Sequence, residues 1–307
     1  MARVYSLMVS SLGLLLCLLA VPCGGEIVVL PVVARGVHGM NGSIWDSEVR
    51  ITGPNMEIPW HVKRAWVALP EGGFVDDPKS APNWPFPDFN APSSLIFPTG
   101  VTVLTGEQLL QDTTASKGAV ALDIEGAGHF VFLHNVNTLG QARLPQDADG
   151  PPCCLPGNGQ LIRAFTDPLV GRAFIPWITS GRWPYRVSVG LINPTSQPRT
   201  IVITLDGFWP IGREDTIPDG TYWLRYDLGY SNAMLSVNLP PWGFRQIDDL
   251  ASVMQQVCPS CAWLDRAIPA DIGLRDDQTQ LPFYGYASVV WTPLNDPEFV
   301  AAVPVTP

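Results

Sequence analysis

Four cysteines of this chain could do chemistry. Cys153 and Cys154 are adjacent, and Cys258 and Cys261 enclose Pro-Ser. Such pairs form disulfides in an oxidising compartment, whereas in the cytosol they bind zinc or carry redox chemistry. A redox centre of the thioredoxin type would place its Cys-x-x-Cys at the start of a helix, and here the motif follows one. We expect disulfides and no bound metal. Cross-bridges between the pairs, two local bridges and a four-thiolate zinc site are the alternatives.

The sequence contains no other recognisable catalytic or metal-binding pattern. A Gly-x-Ser-x-Gly elbow, a P-loop and a His-Glu-x-x-His motif do not occur in it. The histidines are His38, His61, His129 and His134, and the last two would point to opposite faces of a strand. Acidic residues are frequent, but their spacing selects no pair that could hydrolyse a glycosidic bond. We therefore expect no enzyme and no cofactor.

Three aromatic residues, Trp84, Phe86 and Phe89, lie in the proline-rich segment 71–98, which has no strand period and is predicted to be a long loop. Exposed rings of this kind stack on sugars or grip a protein partner. If the loop folds back as a lid, the same rings cover the sheet instead. Tryptophans in or beside predicted strands are expected in the core: Trp45, Trp66, Trp183, Trp223 and Trp291.

The first 25 residues have the layout of a secretory signal peptide. Arg3 supplies positive charge, residues 12–21 form a short apolar run, and small residues end it before Glu26. We expect a secreted, periplasmic or cell-surface protein. The alternatives are an uncleaved anchor helix and a lipid on Cys23. After Ala20 no stretch approaches 18 apolar residues, so we expect no membrane span once the signal is removed.

Composition and charge exclude several classes of protein. The formal net charge of −10 repels phosphate backbones, so nucleic-acid binding is not expected. Hydrophobic residues make up 46% of the chain, which is enough for real cores and argues against disorder. Because 31 prolines and 28 glycines leave little room for long helices, the composition predicts an all-β fold.

The local patterns predict many strands and one clear helix. Residues 26–35 and 43–52 are rich in strand formers and are bounded by Gly or Pro. The helix is predicted near residues 248–257, where an Asp pair caps its start and Cys-Pro ends it. Residues 119–124 and 130–135 flank a Glu-Gly-Ala-Gly turn, and this predicts a hairpin.

Two domains of similar size are predicted after the signal peptide. Their bounds are 26–150, which includes the loop 71–98, and 160–307, with a Gly- and Pro-rich junction between them. A faint repeat supports the division, because Val49–Pro54 aligns with Val189–Pro194 at an offset of 140 residues. That offset fits a duplicated domain rather than a solenoid. The prediction is therefore two tandem antiparallel β-sandwiches, immunoglobulin-like or jelly-roll-like.

The sequence resembles an uncharacterised family of exported bacterial tandem β-sandwich proteins. Gly39–Trp45 looks like the family's GxNGSxW turn, and Gly190–Pro194 is similar to a strand that ends in Asn-Pro. Pro240–Ile247 and Tyr286–Val290 resemble a later turn and a closing strand, whereas Thr52-Gly53-Pro54 lacks the expected Asn. The resemblance implies the fold and export, and it implies no catalytic residue.

Together these features predict an exported, non-catalytic protein with a structural, adhesive or surface-interaction role. Its expected partner is a protein or a glycan at the cell surface. A carbohydrate-binding module that uses Trp84, Phe86 and Phe89 is the alternative, and a secreted hydrolase with an unidentified carboxylate pair is the third hypothesis.

The signal peptide gives the first testable prediction. N-terminal sequencing of the exported protein is expected to begin between Val21 and Ile27, because a signal peptidase cuts after small residues that follow the apolar run. Exported material that still begins at Met1 would contradict the assignment.

Overall fold

The computed structural model describes residues 26–39, 44–52, 61–76, 101–125, 129–137, 160–180, 185–207, 209–210, 223–224, 234–259, 268–276, 278–291 and 296–305. Most of these residues form antiparallel strands, and two helices occur among them. The all-β prediction is therefore confirmed. Outside the described residues lie the predicted signal peptide, the loop from residue 77 onward and the junction at 139–159.

We call the part of the chain that contains β1 to β9 the first half; its described residues form nine strands and one short helix. They are β1 (Glu26–Ala34), β2 (Val37–His38), β3 (Ile44–Thr52), β4 (His61–Ala68), β5 (Phe74–Val75), β6 (Val101–Thr105), α1 (Gly106–Leu109), β7 (Lys117–Glu125), β8 (Phe130–Asn137) and β9 (Gln160–Arg163). Strand β5 lies at the start of the segment predicted to be a loop, where it pairs with β4.

We call the part that contains β10 to β21 the second half; its described residues form twelve strands and the predicted helix. They are β10 (Leu169–Val170), β11 (Arg172–Ser180), β12 (Tyr185–Ile192), β13 (Arg199–Gly207), β14 (Trp209–Pro210), β15 (Trp223–Leu224), β16 (Met234–Leu239), β17 (Phe244–Ile247), α2 (Leu250–Val257), β18 (Ile268–Arg275), β19 (Pro282–Trp291), β20 (Asp296–Ala301) and β21 (Val303–Pro304). The side chain of Asp249 accepts a hydrogen bond from the Ser252 amide, which caps α2 as the sequence predicts.

Most of the described strands belong to four sheets. Sheet I has the order β1-β7-β4-β5, and sheet II has the order β2-β3-β8-β9 with β6 also on β3. Sheet III has the order β10-β19-β12-β17 with β20 also on β19, and sheet IV has the order β16-β13-β18-β11-β21. Strands β14 and β15 form a separate two-stranded ribbon.

Each half has its own aliphatic core between two sheets. Sheets I and II enclose side chains that include Val28, Leu30, Val49, Ile51, Leu104, Leu109, Leu122, Leu133 and Ile162. Sheets III and IV enclose side chains that include Val189, Leu191, Ile201, Ile203, Leu250, Met254, Ile272, Leu274 and Phe283. Alternate strand residues fill these cores because successive side chains point to opposite faces of a sheet. Burial of each such side chain contributes about 1.5–3 kcal/mol.

A third cluster joins the outer face of sheet I to the outer face of sheet III, and we call this contact the seam. Its buried members are Val29, Trp66, Ala68, Ala119, Ala121, Ile192, Phe244, Tyr284 and Tyr286. The Tyr286 ring stacks on Phe299 with the ring centroids 4.9 Å apart. Sheets I and III are thus covered on both faces, which explains why residues 119–122 of β7 are apolar at every position.

Backbone hydrogen bonds also cross the seam. The Leu69 amide donates to the Trp242 carbonyl at 3.2 Å, and the Phe244 amide donates to the Leu69 carbonyl at 2.9 Å. Two bonds between Val29 and Phe165 fasten the end of the first half to β1, at 2.7 and 2.8 Å. Directional bonds of this kind fix the register of the seam, whereas apolar contact alone would permit sliding.

The same strand order occurs in both halves. When the short strands β2, β10, β14, β15 and β21 are left out and the others are numbered along each half, sheets I and IV both have the order first-sixth-third-fourth. Sheets II and III both have the order fifth-second-seventh-eighth. In both halves the helix follows the fifth of these strands. The bulges also correspond, because register shifts occur between Leu30 and Val33 in β1 and between Ile175 and Ile178 in β11. Pro31 and Pro176, which cannot donate to a ladder, lie inside these bulges.

One strand pairing predicted from the sequence differs from the structure. The predicted hairpin of residues 119–124 and 130–135 is wrong, because β7 lies between β1 and β4 while β8 lies between β3 and β9. A Gly-rich connection can form a tight turn or can cross between facing sheets. The turn residues alone therefore do not show whether β7 and β8 pair with each other. Strand β9 pairs with β8, so the first half extends past residue 160.

Gly190 gives the second testable prediction. It lies opposite Tyr286 in the ladder, and a Cβ atom there would lie 2.0 Å from the Tyr286 ring. Because Tyr286 is fully buried and cannot move aside, Gly190→Ala is expected to lower the free energy of unfolding by about 1–3 kcal/mol. In a Tyr286→Leu background the same change should cost much less. Urea unfolding of the four proteins measures the coupling, and equal costs in both backgrounds would contradict it.

Candidate ligand-binding cleft

The seam opens at one end into a cavity of about 380 Å³, which we call the cleft. The first half contributes Val32, Ala34, Val37, His38, Gly39, Trp45, Lys117, Asn135 and Gln160 to its walls, and the second half contributes Arg186, Ser188, Gln246, Asp248, Ser288 and Val290. The volume lies within the range of about 300–1,000 Å³ that is typical of small-molecule sites.

One strand face builds the second-half wall. On β12 the residues at alternate positions are Arg186, Ser188, Gly190 and Ile192, and all of them point away from the second core. Gly190 and Ile192 lie in the apolar seam, whereas Arg186 and Ser188 lie in the cleft. The same face therefore changes from apolar to polar along the strand, and the cleft begins where the apolar packing ends.

The bulge in β1 shapes the opposite wall. After the bulge Val33 occupies the core, so Ala34 faces the cleft. The irregular backbone is satisfied by two buried side chains, because the Ala34 amide donates to Ser47 Oγ at 2.7 Å and Asn135 Nδ2 donates to the Val32 carbonyl at 3.3 Å. Leaving such groups unpaired in the interior would cost about 1–3 kcal/mol each. The amide of Asn135 is thus held in place at the wall of the cleft.

A chain of polar contacts runs from the buried seam to the mouth of the cleft. The Tyr286 hydroxyl donates to Gln246 Oε1 at 3.1 Å, and Gln246 Nε2 donates to Asp248 Oδ1 at 2.6 Å. The ammonium of Lys117 lies 3.4 Å from both oxygens of Asp248 and so links the two halves. A second link joins Gln160 Nε2 to Ser288 Oγ at 3.2 Å.

Burial keeps the tyrosines of the seam neutral. Tyr286 is fully buried, which raises its pKa well above the ordinary value, and the negative charge of Asp248 raises it further. Burial raises the pKa of Tyr284 to about 12, with a smaller contribution from Asp167. Both hydroxyls therefore act as neutral groups at any physiological pH.

Arg186 differs from the other charged residues of the cleft. Lys117 and Asp248 pair with each other, whereas the guanidinium of Arg186 has no hydrogen-bond or ion-pair partner among the described residues. Its Nε atom is also buried. A buried N–H without a partner is costly, and this one could donate to an acceptor that enters the cleft.

Carboxylates and metal-binding side chains are few in the described lining of the cleft. The described lining includes one carboxylate, Asp248, whose oxygens already contact Lys117 and Gln246. Within the described residues no group of three or more His, Cys, Asp or Glu side chains could hold a metal ion. The arrangement can hold a polar ligand through amides, hydroxyls and one cation.

Several residues predicted from sequence lie elsewhere or outside the described ranges. Trp66 is buried in the seam, as predicted for a core tryptophan. Trp45 was predicted to be core as well, but it is half-buried in the wall of the cleft. The aromatic trio Trp84, Phe86 and Phe89 lies outside the described residues, and so do Trp183, Cys153, Cys154 and Cys261.

Cys258 is the one predicted disulfide residue that the described ranges include. It is disulfide-bonded and packs, half-buried, against the second core at the end of α2. The identity of its partner stays a prediction.

Sequence reasoning missed the cleft residues on strands. Arg186, Ser188 and Ser288 interrupt otherwise apolar strands, and this was the signal that could have found them. A charge in a strand with both faces covered must be paired or must face a cavity.

The chain matches no protein-family model, no curated protein and no solved structure. No helix within the described residues is long and apolar enough to cross a membrane.

The seam tyrosines give the third testable prediction. Because the pKa of Tyr286 is raised in the folded state, its contribution to stability is present below the unfolded pKa of about 10 and is lost as the pH rises above that value. Tyr286→Phe should therefore be destabilising by roughly 0.5–1.5 kcal/mol at pH 7, through the lost bond to Gln246, and the difference should shrink above pH 10.

Urea unfolding at pH 7, 10 and 11 measures this change. Tyr284→Phe is the matched control for the hydrogen bond, because burial also raises the pKa of Tyr284, to about 12, but this tyrosine has no role in the chain of contacts to Asp248. Tyr284→Phe should therefore cost less than Tyr286→Phe at pH 7. A difference between wild type and Tyr286→Phe that stays constant up to pH 11 would contradict the assignment.

Proposed function

We propose that this chain is an exported, non-catalytic interaction protein made of two tandem β-sandwich domains, and that it binds a polar group of a cell-surface partner in the cleft between them. One observation carries the proposal. The seam ends in a cavity of about 380 Å³ that both halves line with amides, hydroxyls and an unpaired cation.

Binding fits the cleft better than hydrolysis does. A glycosidase needs two carboxylates that face each other across the scissile bond, roughly 5–9.5 Å apart. The described lining offers one acid, Asp248, which is engaged with Lys117 and Gln246. Most of the other polar residues of the described lining are amides and hydroxyls, and such groups orient a ligand by hydrogen bonds rather than transfer its protons at neutral pH.

The tandem organisation is supported by the repeated strand order and by the matching bulges at Pro31 and Pro176. Duplication of one ancestral sandwich accounts for both. In this proposal the boundary between the domains falls after Phe165, because β9 and Phe165 still bond to the first half. Export to an oxidising compartment fits the disulfide at Cys258.

A glycan is the partner that the lining favours as a second, more specific hypothesis. Planar amides such as Asn135 and Gln160 both donate and accept, which matches the hydroxyl groups of sugars. The half-buried ring of Trp45 offers the apolar surface on which sugar rings stack. Aromatic residues of the loop, led by Trp84, are the competing location for a sugar site.

A cavity-filling variant gives the fourth testable prediction. Ser288→Tyr is expected to abolish binding of the mature chain to glycans on an array, because the added ring occupies the cleft. Ser236→Tyr is the matched control, since Ser236 is exposed on β16 of the other sheet and the same change there fills nothing. Both variants should keep cooperative thermal unfolding.

Three other outcomes would change the proposal. Binding that survives Ser288→Tyr but is lost in Trp84→Ala would move the site to the proline-rich loop. Release of shorter sugars from a bound oligosaccharide would make the protein a hydrolase. Binding of no array glycan, together with Ser288→Tyr having no effect on adhesion to the surface of the producing cells, would contradict a role for the cleft.

A further inference from the structure

We infer that the cleft contains a carboxylate subsite at Arg186 and that its ligand is an acidic sugar, a uronic acid residue. This inference rests on the proposed function, because it names the ligand of the same cleft. It starts from Arg186, the one charged group of the described lining that has no partner among the described residues.

The position of Arg186 is fixed by the sheet. Its backbone pairs with Val290 in the ladder of β12 and β19, and its side chain lines the cleft beyond Ser188. The Nε atom is buried and makes no hydrogen bond, so the guanidinium has lost part of its hydration without gaining an acceptor. A carboxylate that enters the cleft would supply two acceptors in the plane that a guanidinium fork requires.

The charges around Arg186 favour a single negative charge on the ligand. Lys117 and Asp248 are 3.4 Å apart and neutralise each other, which leaves Arg186 as the one unpaired charge of the described lining. A phosphate carries nearly two charges and would call for a second free cation. The acidic chain as a whole, with a net charge of −10, also disfavours polyanions.

The rest of the lining matches a sugar ring. The bond between Gln160 and Ser288 is long, at 3.2 Å, so both groups can exchange it for ligand hydroxyls. Asn135 lines the same space, and its amide keeps one N–H and one acceptor position beyond its bonds to Ser47 and to the Val32 carbonyl. Trp45 provides a flat apolar surface, as the ring face of a sugar requires.

Because Arg186 has no partner in the described part of the chain, removal of its guanidinium is expected not to destabilise the fold. Since Arg186 makes no hydrogen bond or ion pair that a shorter neutral side chain would break, Arg186→Gln is expected to leave the unfolding temperature unchanged or raise it. Binding sites commonly keep groups that cost stability until the ligand arrives. A merely structural arginine would behave in the opposite way, and its removal would lower the unfolding temperature.

Titration of the mature chain, followed by amide NMR shifts, tests the inference with glucuronic acid and its neutral parent glucose as probes. Glucuronic acid should bind roughly tenfold more tightly than glucose or better, since a charge-assisted bond contributes about 1.5–3 kcal/mol. Arg186→Gln should remove this preference, and Arg186→Lys should restore part of it. Arg163→Gln, at an exposed arginine of β9, is the matched control and should change nothing.

The remaining outcomes are distinguishable. Equal binding of both sugars, unaffected by Arg186→Gln but lost in Ser288→Tyr, would overturn the carboxylate subsite and leave the proposed function standing. Tighter binding of N-acetylglutamate than of glucuronic acid would overturn the sugar assignment in favour of a peptide carboxylate. Binding of neither sugar to the wild-type chain would overturn the inference, whereas the adhesion assay with Ser288→Tyr still decides the proposed function.

Discussion

The contact between sheets I and III is the constraint on which the rest of the molecule depends. Tyr286 lies over Gly190 at its centre, and no larger residue could occupy position 190 while that ring stays in place. The same contact gives both inner sheets a second buried face, so their strands are apolar on two sides rather than one. It also imposes a polar requirement, because the buried Tyr286 hydroxyl needs an acceptor and finds it in Gln246.

The cleft follows from that requirement. Gln246 passes the hydrogen bond on to Asp248, and Asp248 meets Lys117 of the other half where water can reach them. A polar path therefore leads out of the apolar seam, and the sheet faces separate along it. The bulge at Pro31 adds the second wall, since it turns Ala34 toward the opening. The apolar seam and the cleft are thus the two ends of the contact between sheets I and III.

Local patterns in the sequence were sufficient for the class of the fold and for single elements. The β-branched run after Glu26 and the Asp249 cap of α2 specify a strand and a helix through contacts within a few residues. Nonlocal features were beyond such patterns. The partners of β7 and the exposure of Trp45 depend on which sheets face each other, and residues far apart in the chain decide this. The unpaired state of Arg186 is likewise defined by neighbours from distant strands.

The pairing of unlike sheets in the seam has a consequence for assembly. Sheet I of the first half meets sheet III, whose counterpart in the first half is sheet II, so the contact is head-to-tail. Repeated contacts of this kind give rings or open-ended fibres, and wholly apolar free faces on sheets II and IV would favour the addition of further copies. The described outer faces carry charged or hydroxyl groups, including Glu48 and Arg50 on sheet II and Thr200 and Asp271 on sheet IV, beside the exposed apolar side chains of Phe130 and Leu161 on sheet II. A further sandwich on either face would have to bury these polar groups, and their desolvation disfavours extension of the series beyond two units.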